Sequence, residues 1–165
     1  MRVIGIDPGT ARLGYGVIDT GEQPQLVDFG IVETGVDDGA AALRLEYIYQ
    51  GVQALLDLHR PDAMAIEQLF FARNVTTAIS VGQARGVTML AASQARIDIF
   101  EYTPSQIKHA IAGYGKADKQ QMQEMVRILL GLEHVPHPDD AADALAVAIT
   151  HSHRHRFTEL TRAGA

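Results

Sequence analysis

Short apolar runs and turn residues alternate through the first third of the chain. Residues 2–6 form an apolar run that stops at Asp7 and is followed by a Pro-Gly-Thr turn signal, a pattern typical of a buried central strand. Residues 14–19 and 26–34 predict the next two strands, with glycine and proline between them. We therefore expect the first three strands to form an antiparallel meander.

After the meander, apolar residues recur every three or four positions, which predicts amphipathic helices. The predicted helices are residues 40–59, 75–92, 104–111, 122–129 and 138–153. Two further strands, residues 62–66 and 96–101, lie between them. The sequence thus predicts a single mixed α/β domain over residues 1–155, with residues 156–165 as a frayed tail.

Composition narrows the class of protein. The chain has 165 residues and no cysteine, so neither disulfides nor a thiolate zinc site is available. No apolar segment resembles a signal-peptide core or a membrane span, so a cytoplasmic location is expected. The net charge of −6 argues mildly against nucleic-acid binding, yet residues 73–127 carry 7 positive and 4 negative side chains.

Two acidic residues end predicted strands. Asp7 follows a run of apolar residues, where an unpaired charge would be costly to bury. Glu67 ends the apolar segment 63–66. Each has a plainer interpretation: Asp7 could cap a local turn, and Glu67 could lie on the surface.

Two more acidic residues lie on one face of the last predicted helix. Asp140 and Asp143 are three residues apart, which places their side chains on the same side. Most other positions of this helix are Ala, Leu, Val or Ile, so the pair is expected to face the body of the protein. A structural interpretation of this acidic cluster, which includes Asp139, is that acids in a first helical turn interact favourably with the helix dipole.

Together the four carboxylates could bind hard divalent cations, which prefer carboxylate oxygens and water as ligands. Two such ions about 3.5–4 Å apart can activate water and stabilise the leaving oxygen in an in-line displacement at phosphorus. The combination of acids therefore favours a metal-dependent phosphodiester hydrolase over four unrelated surface charges.

Several motifs resemble the RuvC family of bacterial Holliday-junction resolvases. The matching segments are Gly5-Ile-Asp7-Pro-Gly-Thr10, Gly14-Tyr-Gly16, Ile66-Glu67-Gln68, Gly82-Gln-Ala-Arg-Gly86 and Asp140-Ala-Ala-Asp143-Ala-Leu-Ala146. The resemblance covers nearly the whole chain. It implies an RNase H-like fold, with a mixed β-sheet of antiparallel meander plus parallel strands flanked by α-helices.

The resemblance also implies the chemistry. The family's four acidic ligands fall on Asp7, Glu67, Asp140 and Asp143. They imply two Mg²⁺ ions, or Mn²⁺ in their place, and hydrolysis that leaves 5′-phosphate and 3′-hydroxyl ends. The implied partners are four-way junction DNA, a second copy of the chain, and the junction-processing proteins RuvA and RuvB.

Basic and aromatic residues near these acids are candidate DNA contacts. The only lysines are Lys108, Lys116 and Lys119, which cluster around a Gly-Tyr-Gly segment. The resemblance places Lys108 and Lys119 near the scissile phosphate and gives Lys119 a part in catalysis. It also gives Phe70 a stacking role against an unpaired base. The other candidate contacts are Phe71, Lys116 and Arg73, with Arg85 as a possible extension of the basic track or a partner within the fold.

Some alternatives stay open from the sequence alone. A related nuclease could act on structured RNA, and a junction-binding protein could carry the acids for structural reasons. The small residues Ala78, Gly82 and Gly86 recur every fourth position and could form a dimer interface or pack on the protein's own sheet. The histidines at 151, 153 and 155 are interpreted as a solvated helix end.

Overall fold

A computed structural model describes residues 1–34, 40–68 and 75–163 of the chain. Within these residues the strands are β1 (Arg2–Asp7), β2 (Arg12–Asp19), β3 (Gln25–Glu33), β4 (Ala63–Glu67) and β5 (Asp98–Tyr102). The helices are α1 (Ala41–His59), α2 (Val75–Gln94), α3 (Pro104–Ala112), α4 (Lys119–Leu130) and α5 (Asp139–Ala163).

The five strands form one mixed sheet in the order β3-β2-β1-β4-β5. The meander predicted from the sequence is confirmed, because β1 pairs antiparallel with β2 and β2 pairs antiparallel with β3. The second half of the sheet is parallel, since β4 lies between β1 and β5 and runs in the same direction as both. Strand β1 is therefore central, as its continuous apolar run predicted.

Helices cover both faces of the sheet, and strand alternation decides which side chains they meet. In β1, Ile4 and Ile6 pack in a core shared with α1 and α2. Val3 belongs to the other core, which includes Leu145 and Ile149 of α5 together with residues of α3 and α4. Positions 3, 5 and 7 consequently face α5.

Helix α5 packs closely on the sheet because the residues of β1 and β2 that face it include glycines, which have no side chain. A Cβ atom added to Gly5 would lie 2.1 Å from the carbonyl oxygen of Ala144, and one added to Gly14 would lie 2.0 Å from that of Asp140. Such distances are far below van der Waals contact, so a side chain at either position would displace the helix. The buried small residues Ala141, Ala144 and Ala148 complete this close approach.

Several predicted boundaries were wrong by two or more residues, including the starts of β2 and α4. Strand β5 begins at Asp98 instead of residue 96, because Arg96 has a positive φ of 58° and belongs to the turn that closes α2. Helix α5 was predicted to end near His153 but continues to Ala163, so most of the predicted tail is helical. The Arg156 guanidinium donates to the Glu22 carbonyl at 3.1 Å, which ties this extension to the β2–β3 loop.

The expectation of a solvated histidine cluster was wrong for His151. Its side chain is buried, and its Nδ1 lies 2.7 Å from the hydroxyl of Tyr102 on β5. Burial is the main reason that the pKa of His151 is lowered to about 4, with a further contribution from His155. His151 is therefore a neutral core residue where α5 packs on β5. None of the helices in the described ranges is both long and apolar enough to cross a membrane.

Candidate active site

Asp7 and Glu67 end neighbouring parallel strands. Ile6 of β1 is in register with Ile66 of β4, so the next residue of each strand lies at the same edge of the sheet. Alternation turns both side chains towards α5, because Ala65 of β4 also packs in the core on that side. The sheet itself brings these two predicted site residues together.

Asp140 and Asp143 reach the same edge from α5. Gly14 is the β2 partner of Asp7, and a Cβ added to Gly14 would lie 3.1 Å from the Cβ of Asp140. The first turn of α5 therefore sits over the strand pair that carries Asp7. Asp143 lines the same cleft as Glu67.

The pKa values of Asp7, Glu67 and Asp143 are raised by burial and by the negative charges of neighbouring acids. The pKa of Asp7 is raised to about 7, first by burial and then by the negative charges of Asp143, Glu67 and Asp140. Burial also raises the pKa of Glu67 and of Asp143, and Asp143 adds its repulsion to Glu67. Partly buried carboxylates that repel one another are stabilised by a bound cation, so the charges at this edge of the sheet favour binding of one.

A cleft of about 250 Å³ opens beside the acids between α3, α4 and α5. It is lined by two of the acids, Glu67 and Asp143, and by two lysines, Lys108 and Lys119. The positive charge of Lys108 opposes the rise in the pKa of Glu67. Lys116 is exposed and is not among the residues that line this cleft.

Lys119 is the first residue of α4 and contacts two acids of α5. Its Nζ lies 3.0 Å from Oδ2 of Asp139 and 3.6 Å from Oδ2 of Asp143. The helix start is fixed by a capping box, in which Asp118 accepts from the Gln121 backbone N–H at 2.9 Å and the Gln121 side chain accepts from the Asp118 N–H at 3.0 Å. The capping box therefore fixes the backbone position from which the Lys119 side chain extends towards the acids.

The acids do not yet form a finished metal-binding shell. Across residues 1–34, 40–68 and 75–163, no three Asp, Glu or His side chains converge closely enough to hold an ion as they stand. The donor chemistry nevertheless fits Mg²⁺ or Mn²⁺, which take carboxylate oxygens and keep several waters. Asp143 instead lies 3.6 Å from the Lys119 ammonium, so a cation at this carboxylate would compete with the lysine.

Two further contacts support the site. Arg85 of α2 donates from Nε to the Glu67 carbonyl at 3.3 Å and pairs with Glu101 of β5. It acts within the fold, one of the two alternatives that the sequence left open. Asp139 accepts from Gln123 of α4 in addition to Lys119, so it does more than interact with the helix dipole.

Three predicted DNA contacts lie outside the described residues. Phe70, Phe71 and Arg73 belong to the segment between β4 and α2, which directly follows Gln68. Their predicted roles therefore stay predictions.

Comparison with known proteins identifies the family. Residues 3–151 match the family model of the crossover junction endodeoxyribonuclease RuvC. The RuvC of Rubrobacter xylanophilus is 52% identical over 163 residues, which cover 98% of this chain and 90% of the relative. The solved structure of Thermus thermophilus RuvC has a TM-score of 0.88 at 38% identity and covers 96% of this chain and 97% of its own.

A second solved structure, T. thermophilus RuvC in complex with a Holliday junction substrate, has a TM-score of 0.87 at 36% identity and covers 95% of this chain and 96% of its own. These matches extend over almost the full length of both partners, and they confirm the predicted RNase H-like fold class. The chain belongs to the RuvC family of crossover junction endodeoxyribonucleases.

Proposed function

We propose that this chain resolves Holliday junctions by metal-dependent hydrolysis of two DNA strands, leaving 5′-phosphate and 3′-hydroxyl ends, in homologous recombination and DNA repair. The observation that carries the proposal is the meeting of Asp7, Glu67, Asp140 and Asp143 at one sheet edge, beside a cleft lined by two lysines. Family membership supplies the substrate class, since the T. thermophilus relative is seen with a Holliday junction.

The four carboxylates are the proposed ligands of two Mg²⁺ ions, for which Mn²⁺ can substitute. When bound, divalent cations at such a site activate a water molecule and stabilise the leaving oxygen. Asp7 and Glu67 approach from the sheet, whereas Asp140 and Asp143 approach from α5, so ions would be held between two rigid elements. Their shared repulsion supplies the affinity for cations.

The lysines have a different proposed task. Lys119 and Lys108 line the cleft in which a phosphodiester would lie, and an ammonium group there stabilises negative charge that develops on the phosphate oxygens. Lys116, Arg73 and Phe71 are proposed DNA contacts outside the reacting centre, and Phe70 is proposed to stack on an unpaired base. A stacked base is worth about 1–3 kcal/mol.

Paired incision requires two sites, which we propose are supplied by a homodimer with twofold symmetry. The exposed side of α2 is the proposed interface, because Ile79 and Leu90 are 59% and 50% exposed and no neighbouring side chain among the described residues lies within 4 Å of a Cβ added to Gly86. RuvA and RuvB are proposed partners on the strength of family membership. The proposed place of action is the cytoplasm.

A substrate comparison tests the proposal and separates it from its rivals. Labelled four-way junction DNA, linear duplex DNA of the same sequence and a structured RNA are each incubated with the protein in Mg²⁺. We expect symmetric cutting of the junction and little cutting of the other two. Preferential cutting of the RNA would show that the protein is a nuclease for structured RNA. Junction binding without cutting in Mg²⁺ or Mn²⁺ would show that it is a non-catalytic junction-binding protein.

A further inference from the structure

Lys119 is shared unequally between two carboxylates of α5. Its ammonium nitrogen lies 3.0 Å from Asp139 and 3.6 Å from Asp143, one helical turn further along. The shorter contact goes to the acid outside the proposed ligand set, and the longer one to a proposed ligand. Since a cation at Asp143 must compete with this ammonium, the division of Lys119 between the two acids bears directly on metal binding.

Asp139 is itself held in place by α4. Its Oδ1 accepts from the Gln123 side chain at 2.9 Å, while its Oδ2 faces Lys119. Lys119 and Gln123 are four residues apart and so lie on one face of α4. Both oxygens of Asp139 are therefore engaged by side chains of α4.

We propose that Asp139 is a positioning residue that draws the Lys119 ammonium away from Asp143, so that Asp143 is free to take a divalent cation. The inference rests on the proposed function, because it assumes that Asp143 is a ligand. It assigns Asp139 an indirect role, acting through Lys119, with no contact of its own to metal or DNA.

Removing the charge of Asp139 has a defined consequence. In Asp139→Asn the amide still fits beside Gln123, but Lys119 loses its closer partner and moves onto Asp143. Each cation that binds must then break a full ion pair. The pair is half-exposed, with 54% of the Lys119 side chain and 40% of that of Asp143 accessible, so its strength is that of a surface ion pair, and metal binding should weaken about two- to fivefold.

The experiment measures metal binding directly, without DNA. Free Mn²⁺ is quantified by electron paramagnetic resonance during titration of the full-length protein, giving a dissociation constant for each variant. We expect Asp139→Asn to weaken Mn²⁺ binding about two- to fivefold and Asp139→Glu to restore most of it. Glu124→Gln is the matched control, because Glu124 is an exposed acid of α4 that pairs with Arg127 instead of Lys119; it should leave binding unchanged.

A double-variant comparison separates positioning from a general field effect. If Asp139 acts through Lys119, Asp139→Asn has no further effect in a Lys119→Met background. An equal weakening in both backgrounds would mean that the Asp139 charge attracts cations directly and would overturn the inference, as would unchanged binding by Asp139→Asn itself. Folding of each variant is checked by circular dichroism, and wild-type protein that neither binds Mn²⁺ nor cuts junctions would instead refute the proposed function.

Discussion

At the scale of single residues, Asp7 combines a buried position with three acidic neighbours, and its pKa of about 7 is the result. Near neutral pH, without divalent cations, a substantial fraction of the protein therefore carries a protonated Asp7. Cation binding favours the ionised form and displaces that proton. Metal affinity should consequently rise as the pH is increased through 7.

The same shift predicts how stability depends on pH. The pKa of Asp7 is raised in the folded state above its unfolded value of about 4. Between pH 4 and 7 the folded protein holds a proton that the unfolded chain has released, so the free energy of unfolding falls as the pH rises through this window. In the absence of divalent cations, Asp7→Asn should therefore be more stable than wild type at pH 8, by about 2 kcal/mol after allowance for relaxation.

Urea unfolding in EDTA at pH 4.5 and pH 8 measures this difference. The two proteins should be similarly stable at the lower pH, and Mg²⁺ at pH 8 should stabilise wild type more than the variant. Asp57→Asn, at an exposed position of α1, provides the control and should show neither effect. If Asp7→Asn were less stable than wild type at pH 8, the ionised Asp7 carboxylate would not destabilise the metal-free protein, which would contradict this prediction.

At the scale of secondary-structure elements, the geometry of the site depends on how closely α5 lies on the sheet. Gly14 decides that distance next to Asp140, because a Cβ at this position would meet the Asp140 carbonyl oxygen at 2.0 Å. Both are backbone positions, so rotation of a flexible side chain cannot relieve the contact. The helix end that carries the acidic pair must move instead.

Gly14→Ala should therefore lower the free energy of unfolding by about 1–3 kcal/mol, the usual range for overpacking, and should also reduce junction cleavage. Gly21→Ala is the matched control, since the nearest atom to an added Cβ there is 3.5 Å away. Urea unfolding and single-turnover cleavage report the two effects. Wild-type behaviour of Gly14→Ala in both assays would mean that α5 does not depend on this close contact.

The elements show which parts of the site the sequence could predict. The strand-end positions of Asp7 and Glu67 follow from the apolar runs before them, although the parallel pairing of β1 with β4 that brings the two residues together does not. The Asp140–Asp143 spacing likewise reports one helical face. Each of these predictions needs only the period of a single element.

Contacts between different helices could not be predicted from the sequence. The pairing of Lys119 with Asp139 depends on how α4 packs against α5, which no local pattern encodes. The positive φ of Arg96 depends on how α2 closes. The capping box that starts α4, Asp118 with Gln121, was a signal present in the sequence that would have placed Lys119 at a helix start.

At the scale of the whole molecule, the proposed paired incision requires two active sites acting on one junction. Among the residues that the structure describes, no neighbour outside the helix's own backbone lies within 4 Å of a Cβ added at Gly86, so a larger side chain there should not disturb the monomer fold. Gly86→Leu should nevertheless weaken self-association if α2 forms the interface, and paired incision should give way to single nicks. Sedimentation equilibrium measures the first effect and a supercoiled cruciform assay the second.

Ile128→Glu on α4 is the control for this surface. Ile128 is 51% exposed and lies on the opposite side of the sheet from α2, so this variant should leave the dimer intact. A dimer that survives Gly86→Leu would reject the α2 face alone. A wild-type monomer that cuts both strands in one binding event would reject the dimer itself.

The proposed catalytic centre is tested by single-turnover cleavage of a four-way junction by wild type and by Asp7→Asn, Glu67→Gln, Asp140→Asn and Asp143→Asn. Each protein is bound to the junction in EDTA at saturating concentration, and the reaction is started with Mg²⁺. Because the carboxylates are proposed to hold the ions while basic residues supply DNA affinity, each variant should bind the junction with nearly wild-type affinity but cut it about 100-fold more slowly or worse. Near-normal cleavage rates in any three of the four variants would contradict a catalytic centre built from these residues.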